Sequence, residues 1–213
     1  GAPVPVAYRG AFSGPSDNWA DGWTALSTMG FLTNAVAAPV NTAPVITAPA
    51  ANSTYTVNVG VNVSVTNLAT DSDLPAQTLT FSLLSGLGSI TTNGLFTWRP
   101  QVSDSGTTNV VTVQVSDDGT PALSATNMFS VIVNPLTPPT LGSVSYSAGQ
   151  FSLTVDGQFG PDYVIQVSTN LATTNWVTVL STNSPVVPFI FTDSATSDEP
   201  MKFYRALVGP PLP

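Results

Sequence analysis

From Val57 to Val65 the chain places valine at every odd position, with Asn, Gly or Ser between. Successive side chains of a strand point to opposite faces, so this spacing makes one face wholly apolar and predicts a strand over 57–65. The same alternation returns in Val111–Val115 and Phe151–Val155. Tyr163–Val167, Trp176–Leu180 and Phe189–Phe191 predict further strands, whereas helical periodicity is almost absent. Turn formers punctuate these runs at Asn93-Gly94, Asp117–Pro121, Asp156-Gly157 and Gly160–Asp162. Short strands at this spacing predict an all-β chain of antiparallel β-sandwiches.

Composition then narrows the chemistry. The 213 residues include no His and no Cys, one Lys (Lys202), three Arg and one Glu (Glu199). Ser–His and Cys–His nucleophiles and Cys/His zinc sites are therefore excluded. A glycosidase needs two carboxyls facing each other across a bond, and here Glu199 and the Asp residues fall in turn sequences. The expectation is a non-enzymatic protein that builds or binds something. Net charge is −8 with 8% charged residues. An acidic chain is not expected to bind nucleic acid or an anionic membrane. No apolar run approaches the ~18–20 residues of a spanning helix, so no membrane insertion is expected. The opening Gly1–Val4 has neither a basic nor a long apolar stretch, so it reads as mature or trimmed.

Proline marks two seams, at Ala38–Pro44 and Asn134–Pro139. Proline-rich links are extended and semi-rigid, and they divide the chain into 1–40, 41–136 and 137–213. The middle segment carries Asn41–Ile46, Ala69–Asp73, Leu79–Leu83, Gly94–Pro100, Val113–Gly119 and Phe129–Asn134 in that order. It resembles the Ig- or cadherin-like module that occurs in tandem on bacterial surface proteins. Phe96 and Trp98 share a face of one strand, which places them in or near its core. The last segment carries Tyr163–Leu171, Asn175–Val177, Phe191–Asp193 and Phe203–Ala206. It resembles a fibronectin-III-like C-terminal module of large secreted bacterial proteins. Two Ig-like/fibronectin-III-like sandwiches in tandem with an N-terminal extension are thus the expected architecture. Tyr8–Trp23 resembles a short motif that closes repeat domains in secreted bacterial proteins. Together with the Ser/Thr/Asn richness and the scarcity of Lys, these resemblances imply an extracellular, cell-surface bacterial protein.

The candidate sites follow. Asp71, Asp73, Asp117 and Asp118 form the acidic cluster with a chemical use. The cadherin resemblance implies that such loops can ligate Ca²⁺, a hard cation taking six to eight oxygens. The alternative is that these Asp side chains close Asx-turns at strand ends. No other cofactor is expected. The N-terminal extension holds Tyr8, Phe12, Trp19 and Trp23, too few apolar groups for an independent core. Trp19 and Trp23 either stack a sugar or pack a helical turn into a groove. Ala2–Tyr8, with Val4 and Val6, suits an added strand on a neighbour's sheet edge.

The expected function is therefore a subunit of an extracellular filament or fibre, self-associating by strand sharing and module packing. The alternatives are a glycan-binding or spacer region of a polysaccharide-degrading enzyme and a calcium-dependent adhesin stalk.

Overall fold

The computed structural model describes residues 40–172, 175–194 and 201–210. Among these the chain is all-β, with one short 3₁₀ turn at Val102–Asp104 and no α-helix. The strands of the first sandwich are β1 (Val45–Ala48), β2 (Ser53–Val57), β3 (Val63–Thr66), β4 (Leu68–Thr70), β5 (Thr80–Ser85), β6 (Ser89–Ile90), β7 (Leu95–Trp98), β8 (Thr108–Ser116) and β9 (Ser124–Val133). The second sandwich contains β10 (Thr140–Ser147), β11 (Gln150–Asp156), β12 (Asp162–Ser168), β13 (Val177–Thr182), β14 (Phe189–Asp193) and β15 (Phe203–Gly209).

In the first sandwich a sheet ordered β2-β9-β8-β5 faces one ordered β3-β7-β6, with a β1-β4 ribbon beside them. Alternation decides what enters the core. Val111, Val113 and Val115 of β8 and Phe129, Val131 and Val133 of β9 are fully buried, while the residues between them face outward. Val111, Val113, Phe129 and Val131 meet Val63, Val65 and Phe96 of the opposite sheet, with Trp98 packed at the margin. The rings of Phe96 and Phe129 meet edge to face at 5.2 Å. That geometry sets the positive ring edge against the negative face.

One pairing departs from the antiparallel expectation: β2 runs parallel to β9, Ser53 opposite Phe129 and Val57 opposite Val133. The cause lies at Pro49. β1 pairs antiparallel with β4. The chain then turns at Pro49–Asn52, where proline offers no N–H to continue a ladder, and resumes on the edge of the other sheet. Direction is retained across the turn, so the strand that joins β9 must lie parallel to it.

A second departure matters more. The predicted strand 57–65 is two strands: β2 ends at Val57, β3 begins at Val63, and 58–62 form a turn. Val59 and Gly60 are buried there, and Gly60 has φ +76°. Glycine adopts that backbone without the steric cost a Cβ would bring. The perfect valine alternation concealed a corner.

The second sandwich sets β10-β11-β14 against β13-β12-β15. Leu153, Val155, Tyr163, Ile165 and Phe191 form its core, separate from the first. The strands predicted at 151–155, 163–167, 176–180 and 189–191 all fall within β11 to β14, with β13 starting one residue late at Val177. β12 is buried on both faces, including Val164 and Gln166. By contrast, every residue of β10 is exposed.

Candidate functional site

The chemistry of this chain concentrates where the two sandwiches meet. Arg99 follows β7 directly, and its guanidinium leaves the first sandwich to reach the second. Its Nη1 donates to Asp162 Oδ2 at 3.0 Å and its Nη2 to Asp162 Oδ1 at 2.6 Å. Nε donates back to the Gly60 carbonyl at 2.8 Å. This is the planar fork-to-fork geometry in which both hydrogen bonds are charge-assisted. The Asp162 side chain is 4% exposed against 33% for Arg99, so the carboxylate is the desolvated partner. It also accepts the Ser184 N–H at 3.0 Å, and the Ser184 hydroxyl donates to the Gly160 carbonyl at 2.6 Å.

Four further bonds cross or brace the same joint. Asn58 Nδ2 donates to the Phe159 carbonyl at 2.9 Å, and Asn134 Nδ2 donates to Asn58 Oδ1 at 2.8 Å. Gln158 Nε2 reaches the Pro135 carbonyl at 3.4 Å, and the Val102 N–H donates to the Pro210 carbonyl at 2.8 Å. Backbone meets backbone here. A Cβ on Gly60 would strike the Gly160 carbonyl, and one on Gly160 would lie 2.7 Å from the Val59 carbonyl oxygen. Both glycines have positive φ, +76° and +115°. The turn that breaks the valine run is therefore the socket of the joint.

Sequence reasoning missed this site. Asp162 sat in a turn motif and Arg99 in a family-like stretch, with nothing to link residues 63 positions apart. A usable signal was scarcity. With four basic residues in the chain, one set directly after a core strand has a job.

The acidic candidates lie at the opposite end of the first sandwich, where Asp71 and Asp117 close turns while Asp73 and Asp118 tie distant segments together. Asp71 Oδ1 accepts the Asp73 N–H at 2.9 Å, and Asp117 Oδ1 accepts the N–H groups of Gly119 and Leu123 at 3.0 Å each. Asp73 receives the Thr42 N–H at 2.7 Å and its hydroxyl at 2.9 Å. Asp118 Oδ1 accepts the Thr78 N–H at 2.8 Å. Hydrogen bonds from the Thr78 backbone and then its side chain hold the Asp118 carboxyl below the usual range. Among the described residues, no three acidic, His or Cys side chains gather into a group that could hold a metal ion. The strand-sharing and aromatic candidates Val4, Val6, Tyr8, Phe12, Trp19 and Trp23, like Glu199, lie outside the described residues.

Lys202 and Arg205 of the second sandwich both hold neighbours. Lys202 Nζ pairs with Asp193 Oδ2 at 3.0 Å, both side chains being largely buried. Arg205 donates to Gln166 Oε1 from Nε and Nη2 at 2.9 and 2.7 Å, and lies 4.2 Å from the Trp176 ring centroid. Tyr204 stacks on Phe151 at 4.5 Å and donates its hydroxyl to Asp193 Oδ2 at 2.7 Å. Burial, then the bond to Asp193 and its charge, push the Tyr204 phenol far above its ordinary range. Burial likewise raises Tyr163. A raised folded-state value means the stabilisation is complete below the unfolded phenol pKa of about 10 and is lost as pH rises beyond it. The denaturation midpoint is thus expected to fall above about pH 10, and Tyr204→Phe to flatten that fall. Urea titrations of both proteins at neutral and alkaline pH check this; equal alkaline losses would remove Tyr204 from the account.

Residues 41–134 match the family described as bacterial Ig domain. No curated protein matches the chain. Among solved structures, it is similar to a nucleoside hydrolase-related hypothetical protein from Saccharophagus degradans associated with carbohydrate metabolism, at 20% identity over 45% of this chain and 26% of that one, TM-score 0.37. It is similar to mouse cadherin-23 EC22-24 at 15% identity over 79% of this chain and 65% of that one, TM-score 0.39. It is also similar to Sidekick-1 immunoglobulin domains 1-5 at 13% identity over 65% of this chain and 29% of that one, TM-score 0.37. The chain thus covers less than two thirds of each of these structures. The described residues include no helix long and apolar enough to cross a membrane.

Proposed function

We propose that the bacterial Ig domain and the sandwich after it, read as modules 41–136 and 137–213, form one rigid building block of an extracellular bacterial filament. The second module is taken as fibronectin-III-like. The observation that carries this reading is the joint. A bidentate Arg99–Asp162 pair, braced by Ser184 and by two glycines in backbone contact, holds the sandwiches as one body. A protein that works by contact geometry needs its modules at a fixed angle, because an error at each joint accumulates along a fibre. Proline-rich seams alone leave such an angle only semi-rigid.

Self-association is the partner this reading requires, and the sheet edges support it. β10 carries no charge and no proline, the devices that usually protect an edge from pairing. Electron microscopy of the purified full chain tests the proposal. Filaments at raised concentration are expected; separate particles under every condition would overturn it.

A further inference from the structure

The joint leaves a cleft of about 390 Å³ beside the Arg99–Asp162 pair. That lies near the low end of the roughly 300–1,000 Å³ of small-molecule sites. Both sandwiches supply its walls. Asn62, from the turn that breaks the valine run, and Arg99 stand on one side; Phe159, Gly160, Asn183 and Ser184 stand on the other.

The Phe159 carbonyl is held by Asn58, and Gly160 turns the chain at φ +115° against the first sandwich. The phenyl ring between these fixed points is left 59% exposed. A single exposed ring calls for no explanation by itself. Phe159 differs in sharing a cleft with two exposed amides, Asn62 and Asn183. Each amide offers an acceptor oxygen and two donor hydrogens. Arg99 adds to them, since Nη1 gives one hydrogen to Asp162 and its second N–H has no bond among the described residues. The Asp162 carboxylate offsets the guanidinium charge, and among the described residues no other ionisable side chain lines the cleft. Ser184 shows that the wall is built under strain. It takes φ +40°, a region unfavourable to a residue with a Cβ, and its N–H to Asp162 and hydroxyl to the Gly160 carbonyl hold it there. Strained backbone of this kind gathers at ligand clamps.

We infer that this cleft binds a neutral saccharide, with Phe159 as its platform and Asn62, Asn183 and Arg99 as partners of its hydroxyls. A pyranose ring has an apolar face of C–H bonds and a rim of hydroxyls, each able to donate and to accept. The C–H face suits the negative face of the Phe159 ring, and the rim suits the amides and Nη1. A wholly apolar ligand would bury these polar groups without partners. An ionic one would find no opposite charge left over to offset its desolvation. Because the walls come from both sandwiches, a bound sugar also braces the joint, and a ligand held by the folded form alone raises its stability. The inference stands apart from filament formation.

Titration of the full chain with β-linked hexasaccharides of glucose, mannose, galactose and xylose tests this, with a galacturonate hexasaccharide as the charged comparator. Calorimetry measures affinity and amide NMR locates the site. At least one neutral hexasaccharide is expected to bind, to shift the amides of residues 60–62, 159–160 and 183–184, and to raise the melting midpoint. Its affinity should hold from low to high salt, since no net charge is matched. Phe159→Ala and Asn183→Ala, both at exposed positions, are each expected to weaken binding roughly tenfold, with circular dichroism confirming the fold. Should Phe159→Ala misfold, Phe159→Leu replaces it and is expected to weaken binding too, because leucine has no ring face. No binding by any of the neutral hexasaccharides would overturn the assignment. So would shifts centred elsewhere, an affinity unchanged in the variants, or tighter, salt-sensitive binding of the galacturonate.

Discussion

Arg99→Ala is expected to lower stability by about 2–3 kcal/mol and to free the two sandwiches to move against each other. The size follows from what is left behind. Asp162 is desolvated, with a side chain 4% exposed, and its two strongest donors are Nη1 and Nη2 of Arg99. Removing the arginine leaves a buried carboxylate with the Ser184 N–H as its remaining donor among the described residues, close to the case in which a broken ion pair costs most. The arginine is one-third exposed, which is why the low end of the range applies. The Gly60 carbonyl loses its Nε donor as well. Because the penalty is an uncompensated negative charge, adding Asp162→Asn to Arg99→Ala should restore part of the loss. Chemical denaturation of the single and double variants checks both statements. A single variant within 0.5 kcal/mol, about the scale of an ordinary surface change, would show that the joint contributes little.

Phe129→Ala is expected to be the most damaging change to the fold itself, at about 3–5 kcal/mol. Phe129 is fully buried in β9 and meets Phe96 edge to face at 5.2 Å and Tyr55 at 5.9 Å. Truncation removes the ring common to both aromatic contacts and opens a cavity between sheets. The neighbours are strands held by ladders on either side, so the space cannot collapse cheaply. For a chain of this length the melting midpoint should fall by roughly 10 °C. A calorimetric scan showing a drop of under about 3 °C would mean that the sheets close over the gap.

Strand content was legible in the sequence because alternation is a direct imprint of a sheet with one buried face. Phe151–Val155 and Tyr163–Val167 fell in strands for that reason. The same rule failed at 57–65, where valine periodicity continues across a corner. Apolar spacing reports burial, and Val59 is buried against the joint as thoroughly as Val63 and Val65 are buried in the core. Gly60 was the clue, since glycine inside a strand pattern often marks close backbone approach. The parallel β2–β9 pair was hidden because direction leaves no trace in composition. Arg99 and Asp162 were illegible as a pair, since their contact depends on how two folded sandwiches meet. Asp71 and Asp117 each accept a backbone N–H two residues on, as Asx spacing suggests, whereas the bonds of Asp73 to Thr42 and Asp118 to Thr78 leave no such local trace.

The central claim is that these two sandwiches act as one body, and a distance distribution between them measures that directly. The chain has no native cysteine, so spin labels placed at Ser124→Cys and Thr192→Cys, both exposed, report without background. One site lies on each sandwich. In protein diluted with unlabelled chain, a single narrow distribution is predicted, broadening markedly on Arg99→Ala. A broad distribution in the parent, unchanged by that substitution, would contradict the account.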